Sequence, residues 1–210
     1  MSVVNQDAAS DGYAQFIPGP DTSSWDDSGT TLLYTYGQGT EDQPAMLFTG
    51  LSIPEGSTIN SATLRLRLTS FSGGPTSFLQ ARPALEDSLS PSLPADYAGF
   101  VGKSWLYGSA ETLRTNPSGG TDEDIDFSEV LSALVASLTT GQSVTSVLAA
   151  LIYLESMSGS AGYTFAAVDH STAPAPQLIV NFTAPGGGGV ASAKSVMLSA
   201  LKSPIGRALK

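Results

Sequence analysis

The sequence predicts an all-β fold, an antiparallel jelly-roll β-sandwich carrying one short helix, and three observations predict it. Residues 61–69 read SATLRLRLT, where Leu64, Leu66 and Leu68 alternate with Arg65, Arg67 and Thr69. That period of two marks a strand with one buried and one wet face. The 22 Gly and 13 Pro among 210 residues provide the turns that many short strands need, and a 41% hydrophobic composition provides a core. One segment switches to helical spacing: Phe127, Val130, Leu131, Leu134, Val135 and Leu138 fall on one face.

In chain order, Thr31–Tyr36 is a β-branched and aromatic run between Gly29 and Gly37. Ala45–Phe48 is a short apolar run after Pro44, and Ser61–Thr69 is the clearest strand. Gly73-Gly74-Pro75 forces a turn, after which Ser77–Glu86 returns as a partner strand. From Ser88 to Ser118, Pro91, Pro94, Gly99, Gly102 and Pro117 break up any long element, and Trp105 and Tyr107 suggest a short strand inside a long excursion. The helix is expected from Phe127 to about Thr139, with Asp126 as N-cap, Glu129 as capping-box partner and Gly141 as the left-handed C-cap, plugging one end of the sandwich. Val147–Glu155 reads as a fully buried strand, Tyr163–Val168 alternates again, and Gln177–Phe182 closes the body. Three parts follow: a body over 1–185, a glycine linker over 186–189, and a basic arm over 190–210. In the arm, Val190, Ala193, Met197 and Leu201 share one helical face, and Ser203-Pro204 ends the helix-compatible stretch.

Charge is divided along the chain. Residues 1–185 hold all 19 acids and five basic residues, net −14, whereas 186–210 hold Lys194, Lys202, Arg207 and Lys210 and no acid. An acidic body does not bind nucleic acid. With no Cys, disulfides and thiolate metal sites are excluded. No apolar run approaches the ~18–20 residues of a membrane span. Met1–Ser10 has neither a basic region nor an apolar run and is not read as a signal peptide, which suggests cytoplasmic synthesis without classical export.

The candidates for chemistry are few. His170, the only His, lies between Asp169 and Ser171, but adjacency in sequence is not triad geometry, and a loop role is expected. Asp122, Glu123, Asp124 and Asp126 could form a glycosidase pair or hold Ca²⁺; the favoured reading is negative charge at a helix N-terminus. Asp11, Asp21, Asp26 and Asp27 are either turn formers or ligands of a structural Ca²⁺. Trp25, Trp105 and Tyr107 are candidate glycan contacts, since apolar sugar faces stack on rings; the alternative for the two tryptophans is the core, and Tyr34, Tyr36 and Tyr107 are read as core or rim. In the arm, Val190, Lys194, Met197, Leu201, Lys202, Arg207 and Lys210 are candidate partner-docking residues.

The stretch Ala45–Leu68, AMLFTGLSIPEGSTINSATLRLRL, resembles the DNRLRE-type domain, a jelly-roll carbohydrate-binding family of bacterial surface proteins. Leu51, Ser52, Ile53, Pro54, Gly56, Ile59, Ser61, Ala62, Leu64, Leu66 and Leu68 carry the resemblance. Asp11-Gly12-Tyr13 resembles its opening strand, Asp126–Gly141 its helix, and Phe165–Phe182 its closing strands. The chain departs from the pattern at Pro44-Ala45, where the family has an Arg, and over Asp96–Asn116, where the family is rich in Trp and Glu. The resemblance implies the jelly-roll fold, makes a structural Ca²⁺ thinkable and suggests a glycan ligand.

The expectation is therefore a non-enzymatic structural protein without a cofactor. It is a phage virion component, such as a capsid decoration protein or a head or tail appendage, with an outward body, a docking arm and a homo-oligomeric state. The alternative is a carbohydrate-binding module of a larger cell-surface or secreted protein. A glycan-active enzyme is the third class, with almost no support from the residues.

Overall fold

In the computed structural model residues 1–16, 23–37, 41–153 and 160–186 are described. Asp21 and the arm residues Val190, Lys194, Met197, Leu201, Lys202, Arg207 and Lys210 lie outside them. The elements in order are β1 (Ser2–Phe16), β2 (Ser24–Asp26), β3 (Thr31–Tyr36), β4 (Glu41–Pro54), β5 (Thr58–Gly73), β6 (Gln80–Glu86), α1 (Tyr97–Val101), β7 (Trp105–Tyr107), β8 (Glu111–Thr112), β9 (Asp122–Asp126), α2 (Ser128–Ala136), β10 (Ser143–Tyr153), β11 (Ala161–Ala166) and β12 (Gln177–Thr183).

The chain is all-β, and every described ladder is antiparallel. Six strands close on themselves in the order β1-β12-β5-β11-β3-β4 and back to β1. Two long strands make closure possible. The first half of β1 pairs with β12 (Ser2↔Phe182 to Asp7↔Gln177) and its second half with β4, with a register shift between Ala8 and Ser10. Likewise β5 pairs with β12 through Thr58–Arg65 and with β11 from Leu68 onward. A strand that bends at a bulge can serve two neighbours in turn, which curves the sheet shut. Among the described residues β3 meets β4 at the bridge Thr35↔Asp42, where buried Asp42 accepts from the Thr35 hydroxyl and from Gln15 Nε2 at 3.0 Å.

Leu64, Leu66 and Leu68 point inward as their alternation predicts, each fully buried, among Tyr34, Met46, Phe48, Tyr163 and Phe165. The interior is filled by side chains, as in small barrels generally. The hydroxyls of buried Tyr34 and Tyr163 reach backbone carbonyls: Tyr34 donates to Gln80 O at 2.7 Å and Tyr163 to Arg114 O at 2.6 Å. Burial pushes the Tyr163 phenol up to about 12.

From β4 the sheet continues through β10 and β6 to β7. Here both faces are covered. Met46, Phe48, Val147, Ala149 and Leu151 join the main core, while Ala45, Leu148, Ala150 and Ala84 lie under a second apolar cluster on the outer face. A strand buried on both faces reads as an unbroken apolar run, as Val147–Tyr153 does.

Helix α2 lies close to the expected span and buries Val130, Leu131, Leu134 and Val135, packing against β5, β6 and β7. Its start differs from the expected capping box. The geometric N-cap is Phe127, without a side-chain cap, and Asp126 one residue earlier accepts from Ser128 N at 2.8 Å. Glu129 does not reach back to the helix start; it accepts from Ser109 N and Oγ, both at 2.9 Å, and ties down the segment after β7. Gly141 is left-handed (φ +87°), yet the helix ends at Ser137, so Gly141 serves the following turn and donates its N–H to Glu55 Oε2 at 2.9 Å.

Candidate functional site

The long excursion Ser88–Ser118 builds the most distinctive surface feature. Asp96 Oδ1 accepts from Gly99 N at 2.6 Å and starts the single turn α1. That turn lowers Phe100 onto the outer face of the β1-β4-β10-β6 sheet, where it is 3% exposed. Trp25 stacks on it with ring centroids 6.0 Å apart, and Trp105 meets it at 5.4 Å with planes tilted by 52°. Ala14, Ala45, Ala84 and Ala150 floor the cluster, and their small side chains leave depth for the rings. Gly12 is required here for the same reason: a Cβ on it would lie 2.5 Å from Trp25 Cζ2 and 2.7 Å from Asp26 O.

The candidate glycan contacts Trp25, Trp105 and Tyr107 thus share one face of the molecule. The tryptophans are half-buried against Phe100, while Tyr107 is 50% exposed on the rim, with the Arg82 guanidinium 5.6 Å above its ring. Sequence reasoning missed Phe100, the residue that joins the two tryptophans, because a five-residue helix shows no periodicity.

The acidic run 122–126 is not helical. It is β9, paired with β5 so that Asp124 stands opposite Arg65 and Asp122 opposite Arg67. Arg65 forks onto Asp124 through Nε and Nη2 at 2.7 and 2.8 Å. That contact holds the Asp124 carboxyl below its usual range. Arg67 Nε lies 2.9 Å from Asp122, and a second guanidinium nitrogen donates to Gly120 O. Glu123 points the other way, inward and 4% exposed, with Arg114 Nε 3.5 Å distant; burial raises its carboxyl and Arg114 partly offsets that. The run is a pairing strand with charge complementary to the Arg65/Arg67 face, so the favoured reading of negative charge at a helix N-terminus is corrected for Asp122, Glu123 and Asp124, while Asp126 does accept from Ser128 N at the start of α2.

The first-loop acids separate in role. Asp26 accepts from Ser28 N and Oγ at 2.9 Å, bonds that hold its carboxyl low, and takes the Tyr13 hydroxyl at 3.2 Å. Burial and Asp26 push the Tyr13 phenol up to about 12. Asp11 accepts from Val168 N at 2.8 Å; its burial, with Asp169 nearby, pushes its carboxyl up to about 6. Asp11, Asp27 and Asp169 line a hollow of about 230 Å³. Among the described residues no group of three or more His, Asp or Glu is gathered to hold a metal ion.

His170 Nδ1 accepts from Thr172 N at 3.3 Å and Ala173 N at 3.0 Å, so the ring organises the turn before β12. It borders a hollow of about 440 Å³ with Arg67, Thr69 and Thr172.

No family model matches the chain, and no curated protein matches it. What the surface can do follows from its geometry. Among the described residues no helix is long and apolar enough to cross a membrane. A further groove of about 470 Å³ lies between the β4–β5 turn and the exposed side of α2. It adjoins the residues that follow β12, since Pro185 Cβ lies 3.4 Å from where a Cβ on Gly56 would be.

Proposed function

We propose that the chain is a non-enzymatic structural protein: a jelly-roll body of the DNRLRE-like kind that is displayed outward, and a basic arm over 190–210 that docks on a protein partner. The setting we propose is a phage virion, with the chain as a capsid decoration protein or a head or tail appendage in homo-oligomeric form. One observation carries the non-enzymatic part. The barrel interior is filled, and several of the groups that sequence reading marked for chemistry are engaged in structural bonds: Asp124 to Arg65, Asp122 to Arg67, Asp126 to Ser128, His170 to Thr172 and Ala173. The docking part is supported by the opposed charges of body and arm, which favour encounter with an acidic surface. Deleting residues 186–210 tests it. The body keeps near-wild-type melting and loses incorporation into its particle or oligomer; normal assembly of the truncated chain refutes the anchor.

A glycan-binding reading rests on a different observation, the shared face of Trp25, Trp105 and Tyr107. Rings placed side by side offer a saccharide an apolar surface rimmed by donors such as Arg82. On this reading the chain is a carbohydrate-binding module at a cell surface or outside the cell. A glycan array with wild type and Tyr107→Ala tests it: binding that Tyr107→Ala weakens supports the module, and no binding to any glycan removes it.

A further inference from the structure

We infer that the groove between the β4–β5 turn and α2 receives the arm of a second copy of this chain, so that copies hold one another by exchanging residues 190–210. This rests on the docking-arm reading above and names the arm's receptor. The groove has a floor and two walls. Gly56, Ser57, Thr58 and Ile59 form one side; Val135, Ala136 and Leu138 lie along the other. Its volume is about 470 Å³, so it takes only a few of the arm's side chains. Ala136 and its neighbours Ser132, Ala133 and Ser137 are exposed and small, so another segment can approach the helix closely.

Three features select the occupant. The first is position. After β12 the chain passes Pro185, which rests on Gly56 at the lip of the groove, and turns at left-handed Gly186. An arm that leaves beside a receptor is positioned for exchange about a twofold axis, because each arm then crosses only the short gap between two lips. The second is pattern. Val190, Ala193, Met197 and Leu201 recur at helical spacing, giving one narrow apolar stripe, with Lys194 and Lys202 to one side of it. The third is charge. Among the described residues that line the groove Glu55 alone is charged, on a body of net −14, whereas the arm carries four basic residues and no acid. Two bare bodies repel each other, and a cationic arm laid between them relieves that repulsion. The tetraglycine sequence over 186–189 has the composition of a linker that lets a following segment reach a neighbour.

The chain has no native Cys, so introduced thiols are the only ones present. Full-length Ala136→Cys and Met197→Cys chains are prepared separately, mixed and mildly oxidised. A disulfide-linked mixed dimer is expected, and it is absent when Ser118→Cys, in the exposed segment before β9, replaces Ala136→Cys. A double variant, Ala136→Cys with Met197→Cys, is oxidised at high dilution. A linkage confined to one chain there, with no mixed dimer in the first experiment, overturns exchange. Equal cross-linking of Met197→Cys to Ala136→Cys and Ser118→Cys overturns the groove as receptor. The deletion of 186–210 separates the two ideas: if that deletion abolishes assembly while no groove cross-link forms, the arm still anchors and this groove is not its receptor.

Discussion

Replacing Phe100 by Ala removes the ring on which both tryptophans rest. Phe100 is 3% exposed, with Trp25 and Trp105 centroids at 6.0 and 5.4 Å. A buried Phe→Ala change costs about 3–5 kcal/mol from lost transfer energy and the cavity left behind. Each aromatic pair adds about 0.5–1.5 kcal/mol. Since α1 is one turn on the outer face and its surroundings can collapse, we expect the lower end, about 3 kcal/mol. Urea unfolding followed by circular dichroism measures this value. Trp25 and Trp105 are the only two tryptophans of the chain, so the emission maximum reports the same event locally. It should shift to the red in the native state of Phe100→Ala as both indoles gain water. Emission identical to wild type, or a loss below about 1 kcal/mol, refutes the claim that Phe100 organises this face.

Asp11 gives a pH signature. Its folded-state carboxyl is raised to about 6, so the stability it contributes is present below about pH 4 and is lost as pH rises through about 6. Asp11→Asn should therefore gain on wild type by up to about 3 kcal/mol at pH 7 and by little at pH 4; a pH-independent difference contradicts this. The Arg65–Asp124 pair is about 40% exposed on both sides, so a double-mutant cycle should return no more than about 1 kcal/mol, shrinking in high salt. Gly12→Ala should destabilise by about 2 kcal/mol or more through the 2.5 Å approach to Trp25, and pairing it with Trp25→Ala should recover part of that loss in melting experiments.

Local pattern sufficed where one face of an element meets one environment. The alternation at Leu64–Thr69 and the spacing around Leu131 gave β5 and α2 because each repeats a single contrast between core and water. The first half of β1, SVVNQDA, was not read as a strand. It is mostly polar, and what holds it is its ladder with β12, nearly the whole chain away in sequence. The acidic run failed for the same reason. Nothing in DEDID says strand; the register that sets Asp124 against Arg65 and Asp122 against Arg67 exists only once β5 and β9 lie side by side.

Composition and charge by themselves determined the all-β class, the absence of thiol chemistry and the division between an acidic body and a basic arm, because these depend on residue totals and short-range periodicity. Tertiary structure decided the rest. Closure into a six-strand ring depends on β1 and β5 bending between neighbours. The meeting of Trp25 with Trp105 depends on a sheet that runs from β2 through β1, β4, β10 and β6 to β7, along which residues 80 positions apart face one aromatic ring. Long-range pairings of this kind are set by how whole strands pack, and no window of sequence contains them.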